Sequence, residues 1–236
     1  MQSFRLSNVY RLALAAACLA LGVMAPAHEA QATWPQGVPN GEVVKTLTAP
    51  NGDVLIAGNF SGETTIGDVV LNSNGMQDIF IARLDALGRV QWAASGGGTL
   101  VDSLKGMALD QSNNVYVAGS FHGSIAMGGE TLNSRGGRDG YVAKINAQGV
   151  WSWARRVASA GPDSVNDVVV LPGDGTVVPQ IPDALIITGG YHSNVMFGIG
   201  TGSSSLDAPG TSPVSDTFLA SLTTDGASWN WVQNRT

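Results

Sequence analysis

The sequence predicts an all-β fold made of about three copies of one antiparallel strand unit in tandem. Three observations predict it. The chain matches itself at a constant offset, its apolar residues fall in short β-rich runs between glycine turns, and no stretch keeps helical spacing with caps. The offset is the distance from Gly58 to Gly119: Val54-Leu-Ile-Ala-Gly58-Asn-Phe60 recurs as Val115-Tyr-Val-Ala-Gly119-Ser-Phe121. At the same offset Leu71-Asn72-Ser73 recurs as Leu132-Asn133-Ser134, and the segment from Asp78 to Gly88 recurs as Asp139 to Gly149. Trp92-Ala93 likewise recurs as Trp153-Ala154.

Within the first copy each element has a local reason. Val43 to Thr48 alternates loosely and leads into Asn51-Gly52, a tight-hairpin signal. Val54 to Phe60 and Ile79 to Leu84 are apolar strand runs, with a weaker pair over Thr65 to Asn72 between them. Ala86-Leu87-Gly88 makes a turn, and Arg89 to Ala94 puts Val90 and Trp92 on one face. The third copy is stretched. Ile187-Thr188-Gly189-Gly190-Tyr191, Asp216 to Leu222 and Trp231 match the second, with insertions near Pro172 to Pro182 and Thr201 to Pro213. The copies span about residues 41–98, 99–159 and 160–236.

Composition narrows the function. Charged residues are 13% of the chain, glycines number 31 and the formal net charge is −6. Such a chain folds, and its acidic surface argues against nucleic acid as a partner. Arg5 and Arg11, the apolar run Leu12 to Met24, and Ala25-Pro26-Ala27 have the layout of a secretory signal peptide over residues 1–27, with Ala32 as the alternative end. Residues 28–40 then read as a linker, and the protein as secreted or at the cell surface. Cys18 after three alanines faintly suggests a lipoprotein cleavage site, but the apolar run continues past it, which favours the plain leader. No other stretch is long and apolar enough to be a transmembrane helix. Cleavage after Ala27 removes Cys18, the single cysteine, and with it any disulfide or thiol chemistry.

The segments Asp102 to Phe121 and Asp139 to Ala154 resemble the bacterial β-propeller repeat called SBBP, over about residues 41–236. The resemblance implies a propeller-like array of about three blades, incomplete as a ring, in an exported protein. It implies no reaction. Further blades or self-association would complete such a ring.

The residues present in every copy read as structural. Gly58, Gly119 and Gly189 mark close backbone approach or bulges; Trp92, Trp153 and Trp231 fill the core between units; Asp78, Asp139 and Asp216 accept backbone N–H groups in turns. His122 and His192 occupy equivalent positions in different copies, where Ser61 stands in the first, so they do not make one catalytic pair. Thr223 to Trp229 echoes the sialidase Asp-box with the wrong spacing, and Gly96-Gly97-Gly98 lacks the lysine and helix of a phosphate cradle. Asp110 to Asn114 and Asp174 to Thr176 offer some oxygens to calcium without a full loop motif, and no other cofactor is expected. No catalytic residue is identified. The expectation is a structural or binding module for a protein or glycan. The alternative is a secreted hydrolase or lyase acting from the third-copy insertion loops.

Overall fold

The computed structural model of the chain describes residues 35, 37–173, 183–199, 202–206 and 216–235. The leader, its alternative end, Cys18, the Asp174 loop and most of the two third-copy insertions lie outside the described residues. Among those that are described there is no helix.

Three antiparallel sheets share one strand order. The first is β1 (Gly41–Thr48), β2 (Val54–Phe60), β5 (Asp78–Leu84) and β6 (Val90–Gly96), with the hairpin β3 (Glu63–Ile66) and β4 (Val69–Asn72) set between its second and third strands. The second is β7 (Ser103–Leu109), β8 (Val115–Met127), β9 (Glu130–Ile145) and β10 (Trp151–Ala158). Here the inserted hairpin is continuous with the sheet: β8 and β9 stay paired past the register shift between His122 and Ser124, out to Met127↔Glu130. The third is β11 (Ser164–Leu171), β12 (Ala184–Tyr191), β15 (Asp216–Thr223) and β16 (Trp229–Arg235); the hairpin β13 (Val195–Ile199) and β14 (Gly202–Leu206), which lies between its second and third strands in sequence, pairs with β10 and makes the second sheet six-stranded. None of the sheets closes on itself.

The recurring glycines explain the recurring shape. Gly58, Gly119 and Gly189 sit in the second strand of each sheet, opposite a register shift in the first strand. A Cβ on them would lie 1.8 Å from Glu42 O, 1.9 Å from Ser103 O and 2.1 Å from Ser164 O. The bulged strand comes too close for any side chain, and Phe80, Tyr141 and Phe218 on the third strand cover the gap. Between third and fourth strands all three sheets turn on a glycine in left-handed backbone: Gly88 (φ 80°), Gly149 (φ 81°) and Gly226 (φ 69°).

Apolar residues on alternate strand positions stack the sheets face to face. Leu55, Ile79 and Ile81 join Val115, Val117 and Ile145 in one cluster between the first and second sheets. Tyr116, Val142 and Trp153 join Leu185, Ile187 and Phe218 in a second cluster, between the second and third. The tryptophans act one sheet forward. The indole N–H of Trp92 donates to Ala147 O (3.0 Å) and that of Trp153 to Thr224 O (3.3 Å), each ring lying on the turn glycine of the next sheet. The hairpins act one sheet backward: Ala126 pairs with Gly97, and Met196 with Ala158.

One expectation is corrected. Trp153 is 5% exposed and Trp92 is partly buried, but Trp231 is 38% exposed. Its face of the third sheet has no following sheet among the described residues to cover it.

Candidate functional site

Where two sheets meet, a pair of buried carboxylates sits between a hairpin and a strand end. At the first junction these are Asp78, which opens β5, and Asp102, just ahead of β7; both are 0% exposed. Asp78 Oδ2 accepts the Asn74 N–H (2.6 Å), and Asp102 Oδ2 accepts the Gly98 N–H (2.7 Å). The Gly98 N–H also faces Asp78, so both carboxylates crowd the Gly97-Gly98 corner. The Asp102 N–H is fixed in turn by Gln77 O (2.8 Å).

The second junction repeats this with Asp139 in β9 and Asp163 ahead of β11, 0% and 1% exposed. Asp139 Oδ2 accepts the Arg135 N–H (2.6 Å). Asp163 Oδ1 accepts the Ser159 hydroxyl (2.9 Å) and the His192 N–H (3.0 Å), and its Oδ2 accepts the Ser159 N–H. The histidines brace the same corners from separate junctions: His122 Nδ1 lies 3.0 Å from Val101 O, and His192 Nδ1 lies 3.0 Å from Pro162 O.

Burial pushes Asp102 up to about 7, with the charge of Asp78 acting the same way. Burial pushes Asp163 up to about 6, and Asp139 adds to it. Asp78 and Asp139 are raised as well, again mainly by burial. Burial, more than the neighbouring carboxylate, disfavours ionisation in each pair. Oδ1 of Asp78, of Asp102 and of Asp139 is buried without a hydrogen-bond partner. Full burial keeps substrate away from all four carboxyls. They act as acceptors that tie hairpins and strand ends together between sheets.

The structure thus gives Asp78 and Asp139 the backbone-accepting role expected of them, and adds Asp102 and Asp163 as partners that the reading of turns overlooked. The signal was available: Asp102 and Asp163 are separated by the same offset as Gly58 and Gly119. Asp216 opens β15 and is half-buried. In the Asp110 to Asn114 turn the carboxylate is taken up by the Asn114 N–H and side-chain amide (both 2.8 Å) and the Tyr116 hydroxyl (3.0 Å). Among the described residues no three His, Cys, Asp or Glu side chains gather as a metal centre. An open groove of about 520 Å³ runs along the first sheet's hairpin, lined by Pro35, Gly37, Val38, Pro39, Thr65 and Gly67.

No family model matches the chain. The regulatory protein FlaEY of Caulobacter vibrioides is 28% identical over 139 residues, which is 56% of this chain and 14% of that protein. The chain therefore spans about one-seventh of the length of the curated relative it matches.

Proposed function

We propose that the protein is an exported β-propeller repeat module of the SBBP kind, structural or binding a protein or glycan, at the cell surface or outside the cell, with no identifiable catalytic activity. The observation that carries this reading is the use of the buried polar groups. The carboxylates at the two junctions are buried between sheets, where they hold strands and hairpins in place, so the surfaces left for a ligand are turns and hairpin tips. The shared strand order, the forward-reaching tryptophans and the backward-reaching hairpins support successive blades around an axis. The match to a small part of a longer bacterial regulatory protein supports a module that can be built into larger chains. The leader read over residues 1–27 supports export.

The test is to immobilise the exported chain and offer cell-envelope polysaccharides and envelope proteins, following both binding and the mass of the offered ligand. Saturable binding with the ligand recovered unchanged is expected. Recovery of shortened or unsaturated glycan would overturn the binding-module reading in favour of a hydrolase or lyase.

A further inference from the structure

We propose that the open face of the third sheet docks onto the first sheet of a second copy of this chain, head to tail. This inference does not depend on what ligand the module binds. The chain displays the same contact twice within itself, and each time one sheet supplies one half and the next sheet the other.

The forward half is a face and a tryptophan. On the second sheet Ala108, Val142 and Trp153 are 8%, 0% and 5% exposed, because the third sheet covers them. The matching residues of the third sheet are Val169, Leu219 and Trp231, which are 52%, 38% and 38% exposed. Register places them alike. Leu219 stands opposite Thr188 as Val142 stands opposite Ala118, and Trp231 projects from the fourth strand as Trp153 does. This is an apolar face with the shape of a covered one and no cover among the described residues.

The receiving half is a glycine turn and a hairpin edge, and the first sheet carries both. Its Ala86-Leu87-Gly88 turn has the backbone of the turns that receive Trp92 and Trp153, with Gly88 at φ 80° against 81° for Gly149 and 69° for Gly226. Those two glycines lie so close to the incoming indoles that a Cβ would come within 2.7 Å and 2.6 Å of them. In the hairpin, Thr65 and Ile66 stand where Ala126 and Met127 stand in the second sheet, and Met196 takes the place of Ala126 in the longer third hairpin by its pairing with the preceding strand. Ala126 and Met196 already pair with the end of the preceding sheet's fourth strand, and Phe197 pairs with Val157. The counterpart of Val157 in the third sheet is Arg235, at the end of β16. The open groove beside Thr65 and Gly67 leaves that edge accessible. A second copy is the occupant this geometry selects, because the sequence that fits the open face is already encoded at the other end of the array. The contact is heterologous, so two copies satisfy both halves only by closing on each other.

The full chain as exported is purified and its mass followed by light scattering over a dilution series. Particles of two or more chains that dissociate on dilution are expected; a monomer at every concentration overturns the proposal. Leu219→Lys and Trp231→Gln change exposed residues. Each is expected to weaken association at least tenfold while the near-ultraviolet dichroism of the buried aromatics stays unchanged, and association as strong as the parent's in both would overturn the proposal. Direction is tested by mixing. Affinity-tagged Leu219→Lys keeps an intact first sheet, so it is expected to capture untagged parent chain through the parent's third sheet. If the parent associates with itself but is not captured, the contact joins third sheet to third sheet and the head-to-tail assignment is overturned.

Discussion

The two junctions between sheets use the same parts and differ at one corner. At the first, Gly98 supplies a backbone N–H to Asp102; at the second, Ser159 supplies both its N–H and its hydroxyl to Asp163. The reason lies in the hairpin overhead. A Cβ on Gly98 would lie 1.8 Å from Ser124 O, so the hairpin of the second sheet passes too close for a side chain there. The consequence is electrostatic. Asp102 has an Oδ1 with no partner and is raised to about 7, whereas both oxygens of Asp163 are bonded and it is raised to about 6. The corner with room for a side chain thus gives its carboxylate one more donor.

The largest expected effect separates the junctions by packing. Trp153→Ala removes a buried ring and should cost about 3–5 kcal/mol, while Trp92→Ala, whose ring is only partly buried, should cost clearly less. Equal losses in denaturant melts would break the link between the burial of each ring and what it contributes. Next comes the corner itself. Gly98→Ala forces a methyl group against the Ser124 carbonyl and should cost about 1–3 kcal/mol, measured in the same way. An unchanged midpoint would show that the hairpin has room to move.

Ser159→Ala takes one donor from Asp163 and should cost about 0.5–1.5 kcal/mol. It should also raise the Asp163 titration from about 6 towards the value near 7 of Asp102, as read by carboxyl carbon NMR. A downward shift would show that the hydroxyl does not stabilise the carboxylate. A last effect is read against pH. The folded chain holds a proton on Asp102 that the unfolded chain releases at the ordinary aspartate value of 3.8, so this contribution is present below that pH and is lost as pH rises to about 7. For Asp163 the loss is complete by about 6. Melting temperature should therefore fall between these limits, and Asp102→Asn should flatten the slope more than Asp163→Asn does.

Strand positions were legible because each depended on residues close in sequence. Val54 to Phe60, Ile79 to Leu84 and the Ala86-Leu87-Gly88 turn are β2, β5 and the β5–β6 turn. The glycines at 58, 119 and 189 were legible as close approaches because a strand-interior glycine has few other uses. The carboxylate pairs were not, since Asp78 meets Asp102 only across a junction, and turn chemistry accounts for Asp78 alone. The weak pair near Thr65 to Asn72 was visible as strands, but its counterparts' pairing with a preceding sheet depends on docking that no local pattern encodes. Trp231 was misread because a residue shared by three copies was assumed to have the same neighbours in each, and among the described residues no sheet covers the third copy on that side.

The tryptophan-to-turn contact makes the array directional, and that bears on how its length can change. The indole belongs to one repeat and its receiving glycine to the next, so the boundary between interchangeable pieces falls inside each contact. If residues 98–158 were excised, Gly97 would be joined to Ser159, and Trp92 would face Thr224 and Gly226, the partners that now hold Trp153. Nothing at the new junction would need to be invented. A gene encoding such a chain can gain or lose whole periods by unequal crossing-over with few compensating substitutions, while an insertion of half a period would leave an indole without a turn.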